Sequence, residues 1–204
     1  MRPRSGAAQS RPRPASPGIR LRAASATSTT PWWDRRSPVA VDEPRPNLTH
    51  LDASGRPRMV DVGEKPETDR TATASGSIHM AAATLRAVRS HAIAKGDVLA
   101  VAQTAAIMAA KRTWELVPMC HPLLLSGIHA DFIDDGATML TLSVTVRTRG
   151  RTGVEMEALT AVSVGLLTVY DMCKAIDRGM TIGNVRLDVK EGGQSGTWRR
   201  DAAP

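Results

Sequence analysis

The stretch Ile128-His-Ala-Asp-Phe-Ile-Asp-Asp-Gly-Ala-Thr-Met-Leu-Thr-Leu-Ser-Val-Thr-Val146 predicts a β-hairpin. Apolar and polar residues alternate on both sides of Asp134-Asp-Gly136, a sequence typical of a turn. A period of two places alternate side chains on opposite faces, so each strand is expected to bury one face and leave the other polar. An antiparallel pair near the middle of the chain decides the fold class.

Further strands and helices are predicted on both sides of this hairpin. In chain order they are a strand over residues 71–78, helices over 80–90 and 97–112, a long helix over 154–176 and a strand over 185–189. Asp97 can cap the second helix, in which a stripe is predicted to be formed by Val98, Val101, Ala102, Ala105 and Met108. Because the hairpin is antiparallel, the expected fold is α+β, an antiparallel sheet with helices packed on one face.

Residues 1–47 differ in composition from the rest of the chain. They hold nine arginines against three acidic residues, so most of the formal charge of +7 lies there and residues 48–204 are close to neutral. The segment is rich in Arg, Ser, Pro and Ala and has no apolar periodicity, so it cannot bury enough surface to offset its ordering entropy. The predicted organisation is a disordered extension over 1–47 and one folded domain over 48–204.

Three interpretations of the extension compete. An upstream-extended start in an Arg- and Ala-biased genome is favoured, and an organellar transit peptide is the second reading. A nucleic-acid-binding arm comes third, because the segment lacks lysine and regularly interleaved aromatic residues. Because residues 48–204 are close to neutral, their charge predicts no protein-wide basic surface, and no nucleic-acid partner is expected.

Cysteine content and hydropathy limit the cellular compartments in which the protein is expected. Cys120 and Cys173 lie in apolar or helical stretches, and neither belongs to a Cys-x-x-Cys motif, so a reduced, cytoplasmic protein is the simpler expectation. An organellar location is the alternative if the extension is a transit peptide. No run reaches the roughly 18–20 apolar residues that a membrane helix needs, and no membrane partner is expected.

Two segments in the first half carry polar residues that a core does not require. Lys95 precedes a predicted helix N-terminus, where an anion would meet backbone N–H groups and an ammonium. His121, in Met119-Cys-His121, lies between a helix end and a proline and could bind a phosphate or relay a proton. Taken singly, a solvated loop lysine and a hydrogen-bonded structural histidine are the better interpretations.

Two segments in the second half are similar in character. Arg151 lies in a glycine-bearing loop that enters the long helix, whose first turn contains Glu155 and Glu157; the arginine suits an anion and the carboxylates suit ring N–H donors. First-turn glutamates also simply stabilise the helix dipole. Asp171 and Lys174 are spaced i and i+3 and share a face, which at a ligand site favours acid–base chemistry and on a surface means little.

Six short motifs resemble, in order and spacing, the cyclic pyranopterin monophosphate synthase family. They are Met59-Val-Asp-Val62, Lys95-Gly-Asp-Val98, Ala110-Lys-Arg-Thr-Trp114, Cys120-His-Pro-Leu123, Thr152-Gly-Val-Glu-Met-Glu-Ala-Leu-Thr160 and Tyr170-Asp-Met-Cys-Lys174. The similarity runs from about Leu48 to Gly196, and the nine-residue motif is very specific.

The resemblance implies a ferredoxin-like fold, assembled as a homohexamer, a trimer of dimers, with active sites at subunit interfaces. It also implies a lyase of molybdenum cofactor biosynthesis. The reaction converts 3',8-cyclo-7,8-dihydroguanosine 5'-triphosphate to cyclic pyranopterin monophosphate and releases pyrophosphate.

Site residues carry over motif by motif. Asp171 and Lys174 would form the catalytic acid–base group, and Lys95 would be the other catalytic lysine. Substrate contacts are expected from Met119, Cys120 and His121 on one side, from Glu155, Met156 and Glu157 on the other, and from the cations Arg151, Lys111 and Lys190.

Two positions depart from the family pattern. Members often have lysine where this chain has Arg151 and Gln194; arginine keeps an anion contact, whereas glutamine loses a charge. No metal site is predicted, because Cys120 and His121 are adjacent and have no matching ligand pair. A divalent cation such as magnesium could still accompany the triphosphate.

Overall fold

The chain folds around a five-stranded antiparallel sheet, in a computed structural model that describes residue 56 and residues 58–201. The elements are β1 (Thr68–His79), α1 (Ala82–Arg89), α2 (Val98–Lys111), α3 (Thr113–Leu116), β2 (Leu125–Asp134), β3 (Met139–Gly150), α4 (Glu155–Cys173), β4 (Thr181–Glu191) and β5 (Trp198–Arg199). The strand order is β2-β3-β1-β4-β5. The extension predicted over residues 1–47 lies outside the described residues.

The predicted hairpin is formed by β2 and β3. Ile128 pairs with Val146, and Phe132 pairs with Leu142, so the apolar positions of both strands fall on one face. The turn is held by Asp135, whose Oδ1 accepts the backbone N–H groups of residues 137–139 at 2.8–2.9 Å. The α+β prediction is confirmed.

The core lies between the sheet and α4, which packs on β1, β3 and β4 as well as on α2. Small residues allow this close approach. A Cβ on Gly76 of β1 would lie 2.8 Å from Val162 Cγ1 and 2.9 Å from Leu166 Cδ1, distances that real contacts do not reach. Gly165 plays the same part on the helix, where a Cβ would collide with Leu142 of β3.

The predicted buried stripe of α2 is wrong in part. Val98 and Ala102 are buried, but Val101 and Met108 are 42% and 45% exposed. The buried positions are instead Val98, Ala102, Ala106, Ala109 and Ala110. Because α2 packs tightly against α4, its small residues face inward and its larger apolar residues face outward.

Helix α1 is capped from outside its own sequence. Its N-cap residue, Ala81, has no capping side chain. The carboxylate of Asp177, which follows α4, accepts the Ala81 N–H at 2.8 Å and the Thr84 hydroxyl at 3.1 Å. These bonds hold the pKa of Asp177 below its usual value, the Ala81 N–H having the largest effect. The cap fixes the segment after α4 against α1.

Two short elements, α3 and β5, were not predicted from the sequence. Helix α3 adds one turn before Pro118, and β5 pairs with the end of β4. The segment between β4 and β5 turns through Gly192, Gly193 and Gly196, all with positive φ. Such φ values favour glycine, so this turn depends on the residue type.

Helix α4 is the one helix of the described chain that is long and apolar enough to cross a membrane. Half of its apolar window is buried inside the fold. Its contacts with three strands and α2 account for this hydropathy, since a central core helix has the same composition.

Candidate functional site

Helix α4 carries candidate residues at both of its ends. Glu155, Met156 and Glu157 form its first turn, and Asp171 and Lys174 lie at its last turn and just beyond it. Each end meets a different part of the chain, so the predicted site residues fall into two groups.

At the N-terminal end of α4, a pocket of about 250 Å³ collects six predicted substrate contacts. Its lining includes Met119, Cys120, His121, Glu155, Met156 and Glu157. Between α3 and β2 the chain is irregular, and the Nε2 atom of His121 lies 2.9 Å from the carbonyl oxygen of Val60, which fixes the ring against the segment before β1. The structure thus brings together two motifs that are more than thirty residues apart in sequence.

Glu157 is the buried ionisable group of this pocket. Only 4% of the residue is exposed, and no Lys, Arg or His of the described chain forms an ion pair with it. Burial raises its pKa to about 7, and the nearby charge of Glu155 adds to the rise. Burial, with the charge of Glu157, also raises the pKa of the Cys120 thiol. The pocket can therefore hold a neutral carboxylic acid near neutral pH.

A larger cavity of about 540 Å³ adjoins the first and shares Lys65, Thr152, Gly153 and Glu155 with it. It contains the predicted cations Arg151 and Lys190. Lys190 Nζ pairs with Glu155 Oε1 at 2.9 Å, and Arg151 donates to the carbonyl oxygen of Gly63 at 2.8 Å. Gln194, where relatives were expected to have lysine, also lines this cavity.

Three further residues of this cavity were missed from the sequence, namely Lys65, Thr68 and Arg70. They precede or begin β1, a stretch that shows only a turn-like glycine and proline. In the sheet, Thr68 pairs with Gly150, so the start of β1 lies beside the basic loop that follows β3. Strand register brings them to the cavity, and a single sequence does not display register.

At the C-terminal end of α4, Lys95, Asp171 and Lys174 form one cluster. Lys95 Nζ donates to the backbone carbonyl of Asp171 at 2.8 Å and to its Oδ2 at 3.1 Å. Lys174 Nζ lies 2.7 Å from Oδ1 of the same carboxylate. Hydrogen bonds from Lys174 and then Lys95 hold the pKa of Asp171 below its usual value. All three side chains are about half exposed.

The two groups are far apart within one chain. Asp171 lies fourteen positions after Glu157 along α4, which is about 21 Å at the helical rise of 1.5 Å per residue. Lys111 belongs to neither group, because it ends α2 with an exposed side chain and lines neither cavity. Within residue 56 and residues 58–201, there is no cluster of three or more His, Cys, Asp and Glu side chains that could hold a metal ion.

Comparison with known proteins finds one family and close relatives. Residues 59–193 match the model of the MoaC family. A protein of Thermomicrobium roseum named cyclic pyranopterin monophosphate synthase is 59% identical over 155 residues, which cover 76% of this chain and 93% of that protein. Proteins of the same name from Brevibacillus brevis and Natranaerobius thermophilus are 57% and 55% identical, covering 75% and 76% of this chain and 96% of each relative.

Proposed function

The chain belongs to the MoaC family, and from that premise we propose that it catalyses the cyclic pyranopterin monophosphate synthase reaction of molybdenum cofactor biosynthesis. The resemblance drawn from the six motifs is confirmed by this membership. The substrate is the nucleotide-derived 3',8-cyclo-7,8-dihydroguanosine 5'-triphosphate, and the products are cyclic pyranopterin monophosphate and pyrophosphate.

The cluster of Lys95, Asp171 and Lys174 carries this proposal. Lys95 is 76 residues from Asp171 in sequence, yet its ammonium contacts both the backbone and the carboxylate of that residue. Two ammonium groups around one ionised carboxylate carry a net charge of +1 and form an acid–base unit. A positive net charge suits a reaction that acts on a triphosphate.

The chemistry divides between proton transfer and stabilisation of charge. Opening of the ring aminal needs a general acid and closure of the pterin ring needs a general base, each worth on the order of 10² to 10⁴ in rate. As a sugar hydroxyl attacks the inner phosphorus, an ammonium stabilises the charge that develops on the leaving pyrophosphate. Lys95 and Lys174 are suited to both tasks, and Asp171 orients them.

We propose a homohexamer, a trimer of dimers, in which the catalytic cluster of one subunit meets the substrate-binding end of another. The separation of about 21 Å along α4 supports this arrangement, because within one chain the two groups lie too far apart to act on the same reacting atoms. Exposed apolar residues on the helices offer surface for subunit contact; they include Val101 and Met108 of α2 and Leu167 of α4.

Mixing two inactive variants tests the shared site. We expect Lys174→Ala and His121→Ala to be inactive separately and to regain turnover when their subunits are exchanged in a mixed assembly. Recovered activity requires that one native cluster and one native binding end meet across an interface. Failure to regain turnover, after mass spectrometry shows mixed assemblies, would contradict a site shared between subunits.

Two lesser features of the proposal concern the cation and the compartment. We propose that a divalent ion such as magnesium arrives with the triphosphate, bound by its oxygens, which fits the lack of a cluster of three or more His, Cys, Asp and Glu side chains in the described part of the chain. A cytoplasmic location is proposed from the two free cysteines, Cys120 and Cys173.

Turnover of the purified substrate tests the activity. Pyrophosphate release and pterin formation are measured for the full chain, for Lys174→Ala and for Arg178→Ala, a matched control at an exposed cation four residues further on. We expect wild type and Arg178→Ala to turn over and Lys174→Ala to lose activity while it stays folded. A folded wild-type protein without turnover would contradict the proposed function, and near-normal turnover by Lys174→Ala would remove that lysine from the mechanism.

A further inference from the structure

The carboxylate of Asp177 joins the two segments that carry the lysines of the cluster. Its Oδ2 accepts the Ala81 N–H at 2.8 Å and the Thr84 hydroxyl at 3.1 Å, both at the start of α1. Its Oδ1 accepts the Gly179 N–H at 3.0 Å, which fixes the turn after α4. One carboxylate thus binds donors from segments that are more than ninety residues apart in sequence.

On one side of this contact, Lys174 lies three residues before Asp177. The backbone N–H groups of Ile176 and Asp177 both donate to the carbonyl oxygen of Cys173, at 2.9 and 3.1 Å. The segment between the lysine and the carboxylate is therefore a hydrogen-bonded turn that continues α4. Because the turn is short and internally bonded, a displacement of Asp177 would displace the backbone of Lys174 as well.

On the other side, Lys95 lies in the loop that directly follows α1. Backbone bonds within this loop and back to the helix are donated by the N–H groups of Ser90, His91, Ala92 and Gly96. Val88 of the helix and Ile93 of the loop are buried, so both segments pack on the core. Fixing the start of α1 therefore helps to fix the backbone of Lys95.

The two lysines meet at Asp171, whose carboxylate pairs with both of them. These side chains are about half exposed, and ion pairs of such exposure contribute little free energy. The cluster is therefore weakly held by its own contacts. The contact made by Asp177 is better protected, since Thr84 is only 3% exposed and the Ala81 N–H is a backbone group at a helix start.

We propose that Asp177 is a positioning residue of the lysine cluster. By binding the start of α1 to the turn after α4, it holds Lys95 and Lys174 in place around Asp171. The effect on turnover rests on the proposed function, whereas the effect on the geometry of the cluster can be measured without it. A displacement of about 1 Å in a reacting group can lower a rate by roughly 10²-fold, so a contact outside the cluster can matter to catalysis.

Turnover by two variants at position 177 separates position from charge. Asp177→Asn has no charge but keeps an oxygen that can accept from Ala81 and Thr84, and asparagine is a favoured N-cap residue. We expect kcat of Asp177→Ala to fall roughly ten- to a hundredfold. KM should change little, because the pocket of about 250 Å³ lies at the other end of α4. Asp177→Asn should keep most of the wild-type kcat, and equal impairment of the two variants would overturn the positioning role.

The titration of Asp171 tests the same contact without turnover. Hydrogen bonds from Lys174 and then Lys95 lower the pKa of this carboxyl, so looser lysines should let the pKa rise. Carbon-13 NMR follows it in folded wild type, in Asp177→Ala and in Asp188→Ala, a control that removes a carboxylate of β4 outside the cluster. We expect a rise in the first variant alone. A lower kcat of Asp177→Ala with an unchanged Asp171 pKa would assign the loss to folding and overturn the inference.

A variant on the other side of the contact guards against a poorly folded Asp177→Ala. Thr84→Val has a similar shape and lacks only the hydroxyl that binds the carboxylate. Its kcat should fall and its Asp171 pKa should rise by less than in Asp177→Ala, since the bond from the Ala81 N–H remains. Wild-type values of both quantities in both variants would contradict the proposed role.

The two proposals fail in different ways. The expected shift of the Asp171 pKa in Asp177→Ala, without any turnover by wild type, would contradict the proposed function and keep the role of Asp177 in arranging the cluster. Turnover by wild type, with kcat and the Asp171 pKa unchanged in Asp177→Ala, would keep the function and overturn the positioning role.

Discussion

Lys190 Nζ lies 2.9 Å from Oε1 of Glu155, in a pair whose side chains are only 29% and 27% exposed. The lysine therefore pairs with the first glutamate of α4, and Glu157, two residues further along the helix, is left buried without a cation among the residues that the structure describes. This difference separates the roles of two carboxyl groups in one motif. Glu155 acts as an anion, and Glu157 can act as a neutral acid.

The buried Glu157 predicts a loss of stability as pH rises. Its folded-state pKa of about 7 lies above the ordinary value of 4.5, so the unfolded chain releases its proton first and unfolding becomes easier between these two pH values. The full effect, present above pH 7 and absent below about 4.5, is on the order of 3 kcal/mol. Urea unfolding of wild type and Glu157→Gln at equal protein concentration measures it.

The free energy of unfolding of Glu157→Gln should increase relative to that of wild type as pH is raised from 5 to 8. Glu115→Gln, at an exposed carboxylate of α3, is the control for removing one surface charge. A constant difference in unfolding free energy across this range would mean that Glu157 does not change its proton occupancy there.

At the other end of α4, the pKa of Asp171 is shifted in the opposite direction to that of Glu157. Because Lys174 and Lys95 lower the pKa of Asp171, removing Lys174 should move that pKa back toward its ordinary value of 3.8. Carbon-13 NMR titration of the Asp171 carboxyl in wild type and Lys174→Ala follows this directly. An unchanged midpoint would show that Lys174 does not contact the carboxylate in solution.

The packing of α4 on β3 predicts a destabilising effect of one methyl group. Gly165→Ala should lower the free energy of unfolding by about 1–3 kcal/mol, as overpacking of a core does, because its Cβ would collide with Leu142. The control is Gly183→Ala in β4, where a Cβ meets nothing within 4 Å. Equal stability of the two variants would contradict the close helix–sheet contact.

Deletion of residues 1–47 should leave turnover unchanged. The family match covers residues 59–193, and both cavities and the lysine cluster are built from residues 60–195. Steady-state turnover of the truncated and full chains at the same subunit concentration checks this. Loss of activity on truncation would give the extension a role in catalysis or assembly.

Local patterns of the sequence determined the elements, because hydrophobic period, turn residues and caps act over a few neighbouring residues. Such patterns predicted the β2–β3 hairpin with its turn at Asp135, the cap of α2 by Asp97 and the length of α4. The resemblance of six motifs also identified the family, and that resemblance implied the residues that line the first pocket and form the lysine cluster.

Tertiary structure alone decided which groups meet. Helical period could not say that α2 turns its small residues inward and exposes Met108, since that choice depends on the closeness of α4. Strand register brought Arg70 to the larger cavity, which Arg151 and Lys190 also line. A residue beyond α4, Asp177, caps α1. The distance between the two ends of α4 likewise exists only in the folded chain, because contacts between remote segments are set by packing and not by local sequence.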